Sequence, residues 1–91
     1  MKYKVIPTNQ FRKDYKKAQK QHKDLSRLQS AIAMLADGHP LPPQYRDHVL
    51  SGNYKNKREC HIEPDWLLIY EINDNDLILL LVRTGSHSEL F

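Results

Sequence analysis

Apolar residues recur at three-and-four spacing through the first part of the chain, and from "KRECHIE" (57–63) onward they alternate or run together. That change of period separates a helical half from a strand half. "YKVI" at 3–6 predicts a short first strand. Pro7 ends it, because proline has no amide hydrogen to give a ladder. Thr8 is the expected N-cap of a helix running to about His22, with Phe11, Tyr15 and Ala18 as a narrow apolar stripe. A second helix is expected after Asp24, where Leu25, Leu28, Ile32 and Leu35 keep the spacing of a buried face. Gly38 after Asp37 is its stop. "HPLPPQY" (39–45) holds too much proline for a regular element and reads as a surface loop.

The strand half begins with "KRECHIE", which puts Cys60 and Ile62 on one side and Glu59, His61 and Glu63 on the other. "WLLIYEI" (66–72) is aromatic and β-branched, "NDND" (73–76) is a turn signal, and "LILLLVR" (77–83) is nearly continuous in apolar residues. Strands joined by tight turns are antiparallel. The expected class is therefore α+β: one strand, two helices, then a three-stranded meander, with the helices packed on one face of a mostly antiparallel sheet. No repeat divides the chain, so residues 1–91 are expected to form one domain.

Composition narrows the setting. Apolar residues make up 40% and charged residues 27%, as in a globular rather than a disordered chain. Cys60 is the only cysteine, which excludes an intrachain disulfide and a cysteine zinc cluster. No apolar run approaches the roughly 20 residues of a membrane span, and nothing near the N-terminus resembles a secretory leader. A cytoplasmic protein with no membrane partner is the expectation. The net charge is +3, and most of it gathers on the first helix: Arg12, Lys13, Lys16, Lys17, Lys20 and Lys23, opposed only by Asp14. Such a face fits a polyanion or an acidic protein.

In "CHIEPDW" (60–66), His61 and Asp65 flank Pro64 at the mouth of the most apolar segment. In a meander, the end of its first strand, the start of its second and the end of its third share one edge. That topology makes neighbours of His61, Asp65, Arg83 and His87. Such a group suits RNA strand scission, because RNA carries its own nucleophile in the 2′-hydroxyl. The reaction then needs a base, an acid and a cation. Imidazole fills either proton role near neutral pH, and the arginine fork matches phosphate oxygens. Each residue also has an ordinary reading. Asp65 is a common turn residue, and a lone His61 is more often scaffold. Arg83 can pair with Glu71 or Glu63 across strands, and a basic helix face is often merely solvated. Tyr45, Tyr54, Trp66 and Phe91 serve equally as core or rim aromatics. His48, His61, His87 and Asp65 are potential zinc ligands, but they lack any H-x-x-x-H or H-E-x-x-H spacing. No metal or cofactor is expected.

The blocks "LPPQYRDHVLSGNYKNKRECHIEPDWLLIYEI" and "RTGSHSELF" closely resemble the YafQ branch of the RelE/ParE superfamily, toxins of bacterial type II toxin–antitoxin systems. The resemblance implies a compact βααβββ fold and a ribosome-dependent endoribonuclease that cuts mRNA in the A site of the 70S ribosome. Attack by the 2′-hydroxyl, without a metal, is the implied route. Carried over by position, the catalytic set is His48 in "RDH", His61 and Asp65 in "HIEPDW", Arg83 as the phosphate contact, and His87 in "SHSELF". Trp66 and Phe91 become substrate contacts, and the basic helix face meets rRNA. His87 is expected to protonate the leaving oxygen, Asp65 or His48 to take the 2′-proton, and His61 to orient the substrate. A cognate antitoxin would cover this surface, with the free toxin a monomer. Two alternatives share the fold: a ParE-like gyrase inhibitor, which has no use for grouped imidazoles, and a ribonuclease independent of the ribosome. Tyr54 and Asn56 depart from the residues usual in relatives, tryptophan and glycine.

Overall fold

Thr8 caps the first helix as its position predicts, its hydroxyl accepting from the Phe11 amide at 3.0 Å. The computed structural model describes all residues, Met1–Phe91. In chain order they form β1 (Lys4–Pro7), α1 (Asn9–Lys20), α2 (Leu25–Ala36), β2 (His48–Val49), β3 (Arg58–Glu63), β4 (Trp66–Asn73), β5 (Ile78–Gly85) and α3 (His87–Leu90). Single 3-10 turns lie at Pro43–Tyr45 and Gly52–Tyr54. Asp24 caps α2. That helix stops in a Schellman arrangement: Gly38, at φ +79°, donates to Leu35, and His39 donates to Met34. The positive φ is what calls for glycine there; a Cβ would also meet the Lys2 side chain at 2.7 Å, which would have to shift.

The sheet has five strands in the order β1-β5-β4-β3-β2. The meander β3-β4-β5 is antiparallel, while β1 joins its far edge parallel to β5, Lys4 opposite Ile78 and Pro7 opposite Leu81. This is the α+β class expected from the pattern of apolar residues. Two small elements go beyond that expectation. His48 and Val49 pair with Glu59 and Arg58 as an added edge strand, and the C-terminal tail folds into α3.

Both helices of the N-terminal half pack on one sheet face, burying Phe11, Ala18, Leu28, Ala31 and Leu35 against Cys60, Trp66, Leu68, Tyr70, Leu79 and Leu81. The opposite face carries a smaller cluster of Leu67, Ile69 and Leu90, with Tyr54 and Val82 against it. The sheet is therefore apolar on both sides, which explains why β4 reads as an unbroken hydrophobic run. Two bulges break the ladder. The partner of β4 jumps from Arg83 to Leu81, leaving Val82 extra, and Ile62 is extra between His61 and Glu63. Both lie near the end of the sheet where the histidines gather.

Candidate active site

His61 stands opposite Leu67, and Leu67 stands opposite Gly85, so β3, the start of β4 and the end of β5 meet at one end of the sheet. The site lies on the face away from the helix pair. Its imidazoles form a row: the His48 and His61 rings are 6.4 Å apart, and the His61 and His87 rings 5.6 Å. Asp65 closes the row, its Oδ1 accepting from His87 Nδ1 at 2.7 Å and from the His87 amide at 2.9 Å. Those two bonds, the amide first, hold the Asp65 carboxyl below the usual range. A carboxylate only accepts, so His87 carries a hydrogen on Nδ1, and Nε2 makes no hydrogen bond or ion pair within the chain.

Beneath the row lies a group that sequence reasoning passed over. Glu59 is buried, and its Oε1 is 3.5 Å from His48 Nε2 and 3.6 Å from His61 Nε2. Alternation had placed Glu59 on the His61 side, so the signal was present. Its burial was not legible, because β2 and Ile69 of β4 cover it only in the assembled sheet. Glu59, His61 and His87 each offer a donor atom within 4.8 Å of the others, a set able to hold a metal ion.

His48 depends on the segment before it. Asp47 accepts from Tyr70 Oη at 2.5 Å and from Arg58 Nε at 3.2 Å, which anchors the 43–49 segment to β3 and β4. Burial, then Asp47 beside it, pushes the Tyr70 phenol far up, so it remains a donor. Arg46 then turns left-handed, at φ +48°, and aims its carbonyl at His48 Nδ1, 2.7 Å away. A carbonyl only accepts, so Nδ1 bears the hydrogen, and Nε2 is the ring nitrogen turned to Glu59.

His87 is set by a third device. Ser86 caps α3, and Glu89 completes a capping box: the Ser86 hydroxyl accepts from the Glu89 amide, and the Glu89 carboxylate accepts from the Ser86 amide at 2.8 Å. "SHSE" was therefore a readable helix start. Lys17 of α1 ion-pairs with the same carboxylate. That pairing and the Ser86 amide hold the Glu89 carboxyl down to about 2, from an ordinary 4.5. A depressed folded pKa means that the stabilisation is complete above 4.5 and is lost as pH falls through about 2. Docking of α3 is thus expected to hold undiminished from neutral pH to 4.5 and to fail only below it. The Leu90 and Phe91 resonances, followed by NMR during acid titration, check this; loss of docking well above 4.5 overturns it.

The remaining expected residues divide. Phe91 is exposed, its ring edge-on to Tyr54 at 5.4 Å, and is free to stack on a base. Trp66 is fully buried in the core beneath the helices, with Lys23 Nζ 5.4 Å from its ring, so it supports the site from below instead of facing substrate. Arg83 stands opposite Ile69, which stands opposite Glu59, and it does not pair with Glu71 or Glu63. It makes two 3.0 Å bonds to Asp14 of α1. Those bonds keep its guanidinium even more firmly charged than usual. Asp14 is not on the basic face either; it is buried on the stripe with Phe11 and Ala18. Of the basic residues, Arg12, Lys13, Lys16 and Lys20 are exposed, Lys17 is held by Glu89, and Lys23 lies half-buried over Trp66.

Comparison with known proteins shows the family and the fold. The family model described as a bacterial toxin of type II toxin–antitoxin system, YafQ, matches residues 3–91. The chain is 45% identical over 85 residues to the mRNA interferase toxin YafQ of Escherichia coli, covering 92% of this chain and 90% of that one. The toxin in the E. coli DinJ–YafQ complex superposes with a TM-score of 0.89 at 42% identity over 98% of both chains. A metal-bound toxin from Helicobacter pylori superposes with a TM-score of 0.92 at 45% identity, over 98% of this chain and 99% of that one.

Proposed function

This chain belongs to the YafQ family of type II toxin–antitoxin toxins, and we propose from that premise that it is an endoribonuclease cutting mRNA in the ribosomal A site. The observation that carries the reading is the continuous row His48–His61–His87 with Asp65 at one end and Glu59 beneath. The substrate's 2′-oxygen attacks the adjacent phosphorus, and the bond to the 5′-oxygen breaks. His48 takes the 2′-proton on Nε2, the ring nitrogen not bonded to Arg46. Glu59 lies close enough to stabilise the imidazolium that forms. His87 delivers a proton from Nε2 to the departing 5′-oxygen, with Asp65 holding the ring through Nδ1. Of the two bases considered from sequence, His48 fits better, because Asp65 is engaged with His87. His61, between them, orients the phosphate. The route uses no metal.

The antitoxin is a partner of the kind seen in the DinJ–YafQ complex, masking this surface until released. Ribosome entry is helped by the exposed cations of α1, which meet rRNA phosphates. Changing Lys13, Lys16 and Lys20 to Glu is expected to weaken ribosome binding about tenfold or more and to flatten its salt dependence. Co-sedimentation across a salt series checks this, and unchanged binding removes α1 from the interface.

The deciding experiment is primer extension on a translated mRNA, with and without ribosomes and with phenanthroline present. Cuts that need ribosomes and survive the chelator support the whole reading. Cuts on naked RNA point to a ribosome-independent ribonuclease, loss with phenanthroline to a metal enzyme, and no cuts at all to a non-nuclease toxin.

A further inference from the structure

The mechanism leaves one requirement unmet. Charge gathers on phosphate during the reaction, yet Arg83, the cation expected to meet it, is committed to Asp14 through two bonds. A different arginine is placed for an RNA phosphate. Beside His61 lies a groove of about 410 Å³, lined among others by Arg27, Tyr45, Arg46, Glu63 and Pro64. Its volume falls within the roughly 300–1,000 Å³ typical of small-ligand sites. Its charges do not cancel. Among the side chains that line it, Arg27 is balanced by Glu63, 3.8 Å away, while Asp24, also 3.8 Å from Arg27, lies outside the lining. The Arg46 guanidinium has no hydrogen bond or ion pair within the chain, which leaves the groove one positive charge in excess, matching one phosphodiester. Tyr45 is half-buried, anchored against the main core while also lining the groove. An aromatic ring held that way is a stacking platform for an unpaired base.

Backbone geometry ties the same residue to the reaction. Arg46 is a non-glycine in the left-handed region, and its carbonyl holds His48 Nδ1. The conformation that orients the proposed base belongs to a residue that also lines the groove.

We propose that this groove is a nucleotide subsite for the RNA substrate, in which Arg46 binds a phosphodiester flanking the scissile one and Tyr45 stacks on the adjoining base. The proposal rests on the ribonuclease reading above. An acidic antitoxin peptide is the competing occupant. RNA is favoured because the single surplus charge, the ring and the catalytic row adjoin one another, as consecutive nucleotides require.

The test removes the cation without disturbing the backbone. Arg46→Gly and Arg46→Asn both tolerate positive φ, so the carbonyl bond to His48 is kept, and Arg46→Lys restores charge without the fork. Single-turnover cleavage is followed on mRNA-programmed ribosomes at varied toxin concentration, beside binding to ribosomes lacking mRNA. The neutral variants are expected to raise the half-saturating concentration about tenfold, as loss of a charged hydrogen bond does, with Lys recovering part of it. Binding to ribosomes without mRNA should be unchanged. Neutral methylphosphonates placed singly on the phosphates beside the scissile one should, at one position, weaken the wild type by the same factor and leave Arg46→Gly unaffected. Wild-type-like cleavage by both neutral variants overturns the subsite. So does equal weakening on ribosomes without mRNA, which marks an rRNA contact, or an effect confined to antitoxin neutralisation, which marks a peptide site. A wild type that cuts no RNA defeats the ribonuclease reading instead, so the two failures are distinguishable.

Discussion

His87→Ala is expected to lower the maximal single-turnover rate of mRNA cleavage on ribosomes by about 10²–10⁴, the usual contribution of one well-placed acid or base. The half-saturating toxin concentration should change little, because the imidazole acts on a proton that moves only during reaction. His87 opens α3, half exposed, with Nδ1 fixed by Asp65 and Nε2 without a partner in the chain. Its removal leaves the Ser86–Glu89 capping box intact, so the helix itself should persist. Glu59→Gln is expected to cost less, because it weakens support of His48 and His61 while leaving the acid in place. A His87→Ala protein that cuts at near wild-type rate assigns the leaving-group proton elsewhere.

Asp14→Ala should produce the largest loss of stability. Its carboxylate is buried and accepts from Arg83 Nε and Nη2, from the Thr84 amide at 3.2 Å and from Gln10. It is the main polar link between α1 and β5, and truncation strands an arginine and an amide together. Breaking a fully buried pair costs about 3–5 kcal/mol, but Arg83 keeps some contact with water, so about 2–3 kcal/mol is expected. For a domain of this size that is about 10–20 °C in Tm. Asp14→Asn, which keeps the volume and one acceptor, should fall between. Thermal melts of the folded, free toxin read the difference. A shift under about 2 °C for Asp14→Ala would mean the ion pair is energetically neutral and Arg83 is free to turn to substrate.

The residues that sequence reasoning placed correctly are those governed by local chemistry. Thr8, Asp24 and Gly38 mark helix ends because their side chains, or the lack of one, satisfy orphan backbone groups wherever the chain goes next. The alternation of "KRECHIE" put His61 opposite Cys60, and the meander brought His61, Asp65 and His87 to one end, because antiparallel strands must reverse. The capping box of α3 is equally local, since "SHSE" carries it within four residues.

What needed the tertiary structure were the partners of charges. Asp14 counts as one anion among cations along the chain, yet at i+3 from Phe11 and i−4 from Ala18 it shares their buried face and finds Arg83, 69 residues away. Glu59 became an interior carboxylate only when β2 closed over it, and Lys17 left the basic face for Glu89 only when α3 docked. Sequence determined the helices, the strand period and the histidines' shared end, since each follows from backbone geometry within a few residues. Which ionised groups are spent on one another, and which remain for RNA, was decided by packing, because electrostatic pairing depends on distance in space and on the water excluded between elements.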